Sequence, residues 1–381
     1  MSAAMDRKTG GRGALLYSSP QKRLLRQRLV AWYEAHARKL PWRETRDPYR
    51  IWISEVMLQQ TQVATVRDYY ARFVAALPTV EQLAAADEQQ VLRLWEGLGY
   101  YRRARQLHAA AKEIVHRHGG KFPSELRELT ALPGVGRYTA GAIASIAFGR
   151  RAPILEANTV RLLSRLIAYR DDPLSSNGQR RLWQVAAEIL PTKSVAQFNQ
   201  ALMELGALVC TPGEPHCDRC PLAVLCRAYE SGLQHEIPLP KKKTVYTDVR
   251  EAAVVIRRNG RVLLRQCGGS ERWAGLWDFP RFELGVVDQL VAAEEIAQKV
   301  LCQTGIQCRP GAVLKTMKHG VTRFRITLEC YPAAYLGGRI RCAQDSTVAW
   351  VRVGDLDGLP LSTTGRKIAR LLRTNVNGPM E

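Results

Sequence analysis

The sequence of 381 residues contains no long hydrophobic run, no low-complexity block and no internal repeat. No stretch approaches 18 apolar residues, so no transmembrane helix is expected. The first residues, MSAAMDRKTGGRG, lack the apolar segment of a secretory signal, and we interpret residues 1–20 as a disordered basic tail. Hydrophobic residues make up 46% and charged residues 24% of the chain, which predicts a globular protein of two or three domains.

Acidic residues are scarce relative to basic ones. The sequence has 35 Asp and Glu against 56 Lys and Arg, which gives a formal net charge of +21. An excess of this size indicates a polyanionic partner. Nucleic acid is the first interpretation, and an anionic membrane surface is the second.

Cysteine is absent from the first 209 residues and then occurs in a cluster with the spacing C-x6-C-x2-C-x5-C, formed by Cys210, Cys217, Cys220 and Cys226. An odd, clustered set of nine cysteines without a secretory signal favours a metal site in a reducing compartment over disulfides. Structural zinc sites usually combine two short-spaced ligand pairs, and only one CxxC occurs here. The spacing therefore favours a [4Fe–4S] cluster over zinc, with either a structural or a redox role.

Strand-like alternation is scarce before residue 230. Apolar residues recur close to a 3.6-residue period, and Asp47-Pro48 is a helix-start signal ahead of IWISEVMLQQ. We predict an all-α domain of about ten helices over residues 21–230. After the helices at 21–37 and beyond Pro48, the predicted segments are 62–76, 80–84, 88–95, 102–118, 124–131, 138–148, 158–168, 178–190 and 197–209.

The sequence pattern changes near residue 235. EIPLPKKKTVYTD has two prolines and three consecutive lysines, which predicts a linker over residues 231–246. Beyond it, AAVVIRRNGRVLLRQ predicts a hairpin with Asn259-Gly260 at the turn, and FRITLECYPAAY and VAWVRV predict further strands. With helices near 288–303 and 363–373, residues 247–373 form a predicted α+β domain, followed by a tail over 374–381.

The segment LPGVGRYTAGAI, residues 132–143, places Pro-Gly-Val-Gly between two predicted helices. Small residues at Gly134, Val135 and Gly136 would let backbone N–H groups at the start of the second helix approach a phosphate, which the helix dipole also favours. An ordinary connection between two helices is the alternative. The net positive charge and the cysteine cluster favour a DNA-binding helix–hairpin–helix.

Residues 21–230 resemble the helix–hairpin–helix DNA glycosylases, and specifically the MutY-type adenine DNA glycosylases. The resemblance is carried by LPWRETRDPYRIWISEVMLQQTQVATV, LWEGLGYYRRAR, LPGVGRYTAGAI, FNQALMELGALVC and the cysteine spacing. It implies a [4Fe–4S] cofactor and, as substrate, double-stranded DNA with adenine opposite 8-oxoguanine or guanine. We expect a monomer in the bacterial cytoplasm, because no targeting segment is clear; a nucleus is the alternative.

The resemblance also implies the catalytic residues. The sister endonuclease III family has a nucleophilic lysine where Tyr138 stands, so no Schiff base can form here and a monofunctional glycosylase follows. Glu55 lies in an apolar stretch that would raise its pKa, so that it can protonate adenine at N7 and then activate water. Tyr138 and Asn158 are expected in the same site.

The second carboxylate departs from the family pattern. The family has Asp in the motif LDGN, where it stabilises the oxocarbenium-like sugar, whereas residues 153–158 here read PILEAN. Glu156 keeps the charge but adds a methylene, and a displacement of about 1 Å can cost on the order of a hundredfold in rate. We expect an active enzyme. The alternative is a non-catalytic iron–sulfur protein that binds DNA or senses redox state.

The remaining site residues carry over by position. Trp42, Arg43, Leu58 and Gln200 match the adenine pocket, and Gln60 and Tyr100 match residues inserted beside the extruded base. Candidate phosphate contacts are Arg102, Arg103, Arg105 and Arg161.

The α+β domain resembles the MutT-like domain with which the family recognises 8-oxoguanine. WAGLWDFPRFEL supports this likeness. A Nudix hydrolase needs a glutamate-rich Mg²⁺ box, but Lys299, Cys302 and Gln303 stand at its glutamate positions, which disfavours a nucleotide pyrophosphatase. Where the family has Phe-Ser-His, this chain offers Thr322 and Arg323 for 8-oxoguanine recognition, with Val321 replacing the Phe.

Overall fold

The computed structural model describes residues 17–240, 245–285, 289–341 and 347–374. Contacts divide the chain into two compact units: Met1–Val56 with Phe122–Lys241, and Met57–Lys121 with Lys242–Glu381. Residues 1–16 and 375–381 of the predicted tails, and 241–244 of the predicted linker, lie outside the described residues. The prediction of disorder up to residue 20 is wrong at its end, because Tyr17 is buried and the first helix begins at Ser19.

The described residues before 241 are helical, as predicted, and contain no strand. The helices are α1 Ser19–His36, α2 Pro48–Leu58, α3 Val63–Ala76, α4 Val80–Ala85, α5 Glu88–Trp95, α6 Arg102–His118, α7 Leu126–Ala131, α8 Arg137–Ile146, α9 Ala157–Leu166, α10 Ser176–Ile189, α11 Val195–Leu208 and α12 Arg227–Glu230. Short 3-10 helices cover Pro41–Arg43, Cys217–Arg219 and Ala223–Leu225. None of the described helices is long and apolar enough to cross a membrane.

Local sequence explains where several helices begin. Ser18 caps α1 in a capping box with Gln21, Thr79 caps α4, and Ser175 caps α10. Each side-chain oxygen accepts a backbone N–H that has no partner within the helix. These capped starts agree with the predicted helix positions to within a few residues.

The core of the first unit is built around α11, which packs against α1, α8 and α9. Phe198, Leu202 and Leu205 are buried on this helix. Two glycines permit close packing beside the candidate site. A Cβ on Gly141 would lie 2.4 Å from the carbonyl oxygen of Pro153, and one on Gly206 would lie 2.8 Å from Cβ of Asn158. Larger residues would therefore push α8 and α11 away from the segments that carry catalytic candidates.

The C-terminal part is α+β, as predicted. Its elements are β1 Thr247–Arg258, β2 Arg261–Gln266, β3 Trp277–Asp278, β4 Arg281–Glu283, α13 Gln289–Thr304, β5 Ile306–Pro310, β6 Lys315–Val321, β7 Phe324–Gly338, β8 Val348–Arg352 and α14 Thr363–Thr374. The predicted hairpin turn at Asn259-Gly260 is confirmed, and both residues have positive φ, at 50° and 70°.

The strands in the described part of the chain form one mixed eight-stranded sheet with the order β3-β2-β1-β7-β5, in which β1 and β7 are parallel. β4, β6 and β8 pair with β1, β7 and β2, respectively. Ile368, Ala369 and Leu372 of α14 belong to one apolar cluster, and Ile296 and Val300 of α13 belong to another. Each helix thus packs against its own cluster of apolar strand residues. The pairing of β6 with β7 was not predicted, and it places Thr322 and Arg323 at a hairpin turn.

Candidate active site

Glu55 and Tyr138 form the centre of the candidate site. Glu55 lies on α2 and is 5% exposed, and Tyr138 lies in the first turn of α8. The Tyr138 hydroxyl donates a hydrogen bond of 2.5 Å to Oε2 of Glu55 and also lies 3.3 Å from Sδ of Met203. The two residues are 83 positions apart in sequence, so only the fold brings them together.

The surroundings of Glu55 favour its neutral form. Burial raises the pKa of Glu55 to about 7, and the nearby charge of Glu156 adds to this rise. The Tyr138 hydrogen bond and the positive charge of Arg43 act in the opposite direction but do not cancel it. Burial also raises the pKa of Tyr138 well above its ordinary value, so the phenol stays a donor. A carboxylic acid that still holds its proton near neutral pH is suited to general acid catalysis.

Glu156 is the N-cap residue of α9. Its Oε2 accepts hydrogen bonds of 2.8 Å from the Asn158 amide N–H and 3.2 Å from the Asn158 side chain, and its Oε1 accepts one of 3.0 Å from the Thr159 amide N–H. Thr159 completes the capping box by accepting the Glu156 N–H. Burial raises the pKa of Glu156, while these hydrogen bonds hold it down. The longer side chain therefore has a defined position at the positive end of a helix.

Asn158 is fixed from both ends of its side chain. Its amide nitrogen donates to Glu156, and its Oδ1 accepts a hydrogen bond of 2.9 Å from Arg161. Arg161 also donates to the carbonyl oxygens of Gly206 and Cys210, both at 2.6 Å. This arginine joins α9 to the end of α11 and to the cysteine segment. Nε and Nη2 of Arg161 thus bind groups within the protein, and a phosphate contact by Arg161 stays a prediction.

Two predicted pocket residues are held by a buried network that the sequence did not reveal. Arg43 makes a 2.7 Å ion pair with Glu204, whose side chain is 0% exposed, and Arg38 makes a second. These bonds lower the pKa of Glu204 to about 2 despite its burial. Gln200 accepts a 2.9 Å hydrogen bond from the Tyr33 hydroxyl. A single acidic residue within the apolar run FNQALMELGALVC was the one available signal for Glu204.

The other predicted pocket residues have simpler environments. Trp42 is buried at 5% exposure in the 3-10 helix Pro41–Arg43, and Leu58 ends α2, one turn after Glu55. The first unit thus brings together Glu55, Tyr138, Glu156 and Asn158, with the charge of Arg43 acting on Glu55.

The segment of residues 132–136 connects α7 to α8 as a tight turn. The Val135 amide donates to the carbonyl of Leu132 at 3.1 Å, and Gly134 has φ of +72°. Gly136 is the N-cap of α8, and no side chain in the described chain caps this helix. Gly134 and Gly136 are exposed. An exposed, uncapped helix start is a suitable anion site.

The four clustered cysteines line one cavity in the first unit. Burial raises the pKa of Cys220 to about 12, and the neighbouring thiols contribute to the rise. A cationic iron–sulfur or zinc centre would supply the positive charge that four thiolates lack, so this set of donors fits such a group. Among the described residues, however, no group of three or more His, Cys, Asp or Glu side chains is arranged to hold a metal ion. The fit therefore rests on the shared cavity and on the chemistry of the four thiols, and not on a preformed ligand arrangement.

The two predicted wedge residues belong to the second unit, and both have strained backbones. Gln60 and Tyr100 have φ of +57° and +49°, and Tyr100 is 52% exposed. The buried guanidinium of Arg103 joins their turns by donating to the carbonyl oxygens of Gln59 and, at 3.3 Å, Gly99. Burial lowers the pKa of Arg103 to about 10. The prediction of Arg103 as a phosphate contact is wrong for this structure, because it faces backbone carbonyls.

Arg102 and Arg105 remain candidate phosphate contacts, with Arg102 exposed at the start of α6. In the α+β domain, Thr322 and Arg323 are exposed at the β6–β7 turn. Lys299, at a predicted glutamate position of the Mg²⁺ box, donates to the side chain of Glu295 and the carbonyl of Glu283.

Comparisons with known proteins match the helical part and the α+β part of the chain to two different families. Residues 53–188 match the HhH-GPD superfamily of base excision DNA repair proteins, and residues 252–371 match the NUDIX domain. A solved thermostable thymine-DNA glycosylase is similar with a TM-score of 0.52 and 29% identity, over 56% of this chain and 98% of that one.

Among curated proteins, the adenine DNA glycosylase of Rattus norvegicus is 34% identical over 93% of this chain and 78% of the relative. That of Buchnera aphidicola subsp. Schizaphis graminum is 36% identical over 68% of this chain and 74% of the relative. The human adenine DNA glycosylase is 44% identical over 59% of this chain, and the alignment spans 43% of that protein. The chain belongs to the adenine DNA glycosylase family of helix–hairpin–helix base excision repair proteins.

Proposed function

We propose that this protein removes adenine from double-stranded DNA where adenine stands opposite 8-oxoguanine or guanine. The observation that carries the proposal is the buried carboxyl of Glu55, whose pKa of about 7 leaves a proton available near neutral pH. Adenine leaves poorly as an anion, so the reaction needs a positioned acid.

The chemistry divides between the two carboxyl groups. Glu55 gives its proton to N7 of adenine, the bond between C1′ and N9 breaks, and its electron pair goes to the base. The sugar then carries oxocarbenium-like positive charge, which the Glu156 carboxylate stabilises from the N-terminus of α9. Water adds to C1′ and gives its proton to the Glu55 carboxylate, which restores the acid and leaves an abasic site.

The reaction stops at the abasic site. Tyr138 occupies the position of the sister family's lysine, and its hydroxyl is committed to Glu55. A phenol with a strongly raised pKa cannot form a Schiff base with the abasic sugar. Product DNA should therefore break only after alkali treatment, and borohydride should trap no covalent complex.

We also propose that Cys210, Cys217, Cys220 and Cys226 hold a [4Fe–4S] cluster, whose main role is to fix the loop after α11. The shared cavity supports a common centre for the four thiols, and the single CxxC favours the cluster over zinc. Purified protein should be brown with broad absorbance near 400 nm and contain iron and sulfide. Cys220→Ser should lose both, whereas the control Cys302→Ser, an exposed cysteine outside this group, should not.

Recognition of the opposite base is proposed for the β6–β7 turn. Thr322 and Arg323 are exposed there and offer a hydroxyl and a guanidinium to a purine edge. A bacterial cytoplasmic location and a monomeric state belong to the same proposal. A non-catalytic DNA-binding or redox-sensing role is not favoured, because the acid, its tyrosine partner and the second carboxylate are all in place.

The test is single-turnover release of adenine from a duplex with adenine opposite 8-oxoguanine, with guanine in its place as comparison. Wild-type protein should release adenine, and Glu55→Gln should not. Glu128→Gln, an exposed glutamate on α7, is the matched control and should match wild type. Inert wild-type protein whose Glu156→Asp variant releases adenine would instead identify a binding protein on a glycosylase scaffold.

A further inference from the structure

A buried ion pair within the second unit joins the α+β domain to the end of α5. Arg366 of α14 donates to both carboxylate oxygens of Glu96, from Nε at 2.7 Å and from Nη2 at 2.9 Å. The two side chains are only 9% and 8% exposed. A bidentate pair that is shielded from water has one defined geometry, and loss of either partner leaves a buried charge.

Neighbouring contacts make this joint rigid. Arg366 also donates to the carbonyl oxygens of Leu356 at 2.7 Å and Leu359 at 2.6 Å, so its guanidinium is fixed within its own domain. The Leu361 amide donates to Glu96 Oε2 at 3.1 Å. About two turns earlier on α5, Gln89 accepts a hydrogen bond of 3.0 Å from the indole of Trp277. Glu96 is therefore held by groups that belong to the α+β domain.

Glu96 stands directly before the turn that carries Tyr100. The carbonyl of Glu96 accepts a hydrogen bond of 2.8 Å from Tyr69, and the amide of Gly97 donates to the hydroxyl of Tyr101 at 3.2 Å. The Tyr101 side chain is also hydrogen-bonded to Thr363, at the start of α14. Both ends of this five-residue turn, residues 97–101, are thus connected to the α+β domain.

The turn needs such support because its conformation is unfavourable. Tyr100 has φ of +49° and projects into solvent, and a bulky residue adopts this conformation only when its surroundings impose it. Gly97 cannot be replaced easily, since a Cβ there would lie 2.2 Å from the Tyr69 hydroxyl. A strained, exposed aromatic residue is a suitable wedge only while the turn that carries it is held in one conformation.

We propose that Arg366 is a positioning residue, which holds the Tyr100 turn in its base-inserting conformation through Glu96. The domain proposed to recognise the opposite base would thereby set the geometry of the wedge. This inference rests on the proposed function. Arg366 would then affect base extrusion although this residue lies outside the catalytic group.

A double-mutant cycle tests the inference. Single-turnover adenine release is measured for wild type, Arg366→Gln, Tyr100→Ala and the double variant. Arg366→Gln should slow release by about ten- to a hundredfold. If it acts through the turn, the double variant should be no slower than Tyr100→Ala alone. The inference would be overturned if the rate losses of the two single variants multiplied in the double variant, or if Arg366→Gln released adenine at the wild-type rate. Arg370→Gln, exposed one turn later on α14, is the matched control and should match wild type.

Hydrogen exchange gives a second readout that does not depend on activity. The amides of residues 97–101 should exchange faster in Arg366→Gln than in wild type and should be unchanged in Arg370→Gln. If Arg366→Gln does not fold, Arg366→Lys replaces it, because lysine keeps the charge and loses the bidentate geometry. The amides of residues 97–101 should then exchange faster in Arg366→Lys than in wild type. Unchanged exchange in the folded variant would refute the coupling. Wild-type protein that releases no adenine would refute the proposed function while leaving this exchange test valid.

Discussion

The hydroxyl of Tyr138 donates a hydrogen bond of 2.5 Å to Oε2 of Glu55. This bond favours the ionised carboxylate, whereas burial favours the neutral acid and has the larger effect, leaving the pKa at about 7. Tyr138 therefore holds the acid in place and prevents its pKa from rising further. The hydrogen bond from Tyr138 thus keeps the Glu55 proton acidic enough to be transferred to a base near neutral pH.

The first prediction concerns the pH dependence of adenine release. The required form of Glu55 is protonated, so the rate should fall as pH rises through about 7. Tyr138→Phe removes the bond that lowers the pKa and should move this fall to higher pH. Single-turnover rates between pH 5 and 9 measure both effects. Tyr33→Phe, which affects a hydroxyl bonded to Gln200, should leave the pH of the fall in place. A fall at lower pH in Tyr138→Phe would contradict the argument.

The second prediction links the same pKa to stability. The pKa of Glu55 rises from an ordinary 4.5 to about 7 on folding, so the folded protein holds a proton that the unfolded chain has released between these values. Its contribution to stability is complete below pH 4.5 and is lost as pH rises to 7. The free energy of unfolding of Glu55→Gln, relative to wild type, should increase by up to about 3 kcal/mol between pH 4.5 and 8.

Urea unfolding at both pH values provides this measurement, and Glu128→Gln is the exposed control. A difference between Glu55→Gln and wild type that is the same at both pH values would mean that Glu55 titrates normally in the folded protein.

The third prediction separates the two roles of Glu156. Glu156→Gln keeps an oxygen for the α9 amides but removes the negative charge, so it should fold and release adenine about a hundred- to a thousandfold more slowly. Glu156→Ala should lose both, with about 1 kcal/mol less stability. Glu156→Asp, a good helix cap, should stay within about tenfold of wild type. Thermal unfolding and single-turnover rates distinguish these outcomes, and full activity in Glu156→Gln would exclude the electrostatic role.

The fourth prediction concerns Arg103. Because its guanidinium binds backbone carbonyls, Arg103→Ala should lower the free energy of unfolding by about 2–4 kcal/mol. The exposed Arg102→Ala should change it by less than about 0.5 kcal/mol. In DNA binding at several salt concentrations, Arg103→Gln, which removes the positive charge, should keep the wild-type slope of affinity against salt. A slope reduced by about one would show that Arg103 contacts phosphate after all.

The fifth prediction uses two glycines of the turn between α7 and α8. Gly136 has an ordinary φ and a Cβ there would meet nothing within 4 Å, so Gly136→Ala should cost less than about 1 kcal/mol of stability. Its methyl group would stand where a phosphate must approach the helix start, so DNA affinity should fall. Gly134→Ala should destabilise by about 1 kcal/mol, because φ is +72°. Unchanged affinity in Gly136→Ala would place the phosphate elsewhere.

Much of the fold could be predicted because its signals are local. Periodic apolar residues and capping residues placed most helices of residues 17–240 to within a few residues, and Asn259-Gly260 placed the first hairpin. The short strands β3 and β4 and the β6–β7 pairing were missed, since they depend on partners distant in sequence. The predicted domain boundaries stay a prediction.

Residue identity alone determined which chemical groups this protein can use: a carboxylic acid at Glu55, a phenol rather than an amine at Tyr138, and four clustered thiols. The tertiary structure decided what those groups do. It buried Glu55 so that its pKa approaches 7, and it tied Glu156 to the start of a helix. It also directed Arg103 and Arg161 to backbone carbonyls. Protonation and hydrogen-bond partners depend on desolvation and on neighbours far along the chain, which no local pattern contains.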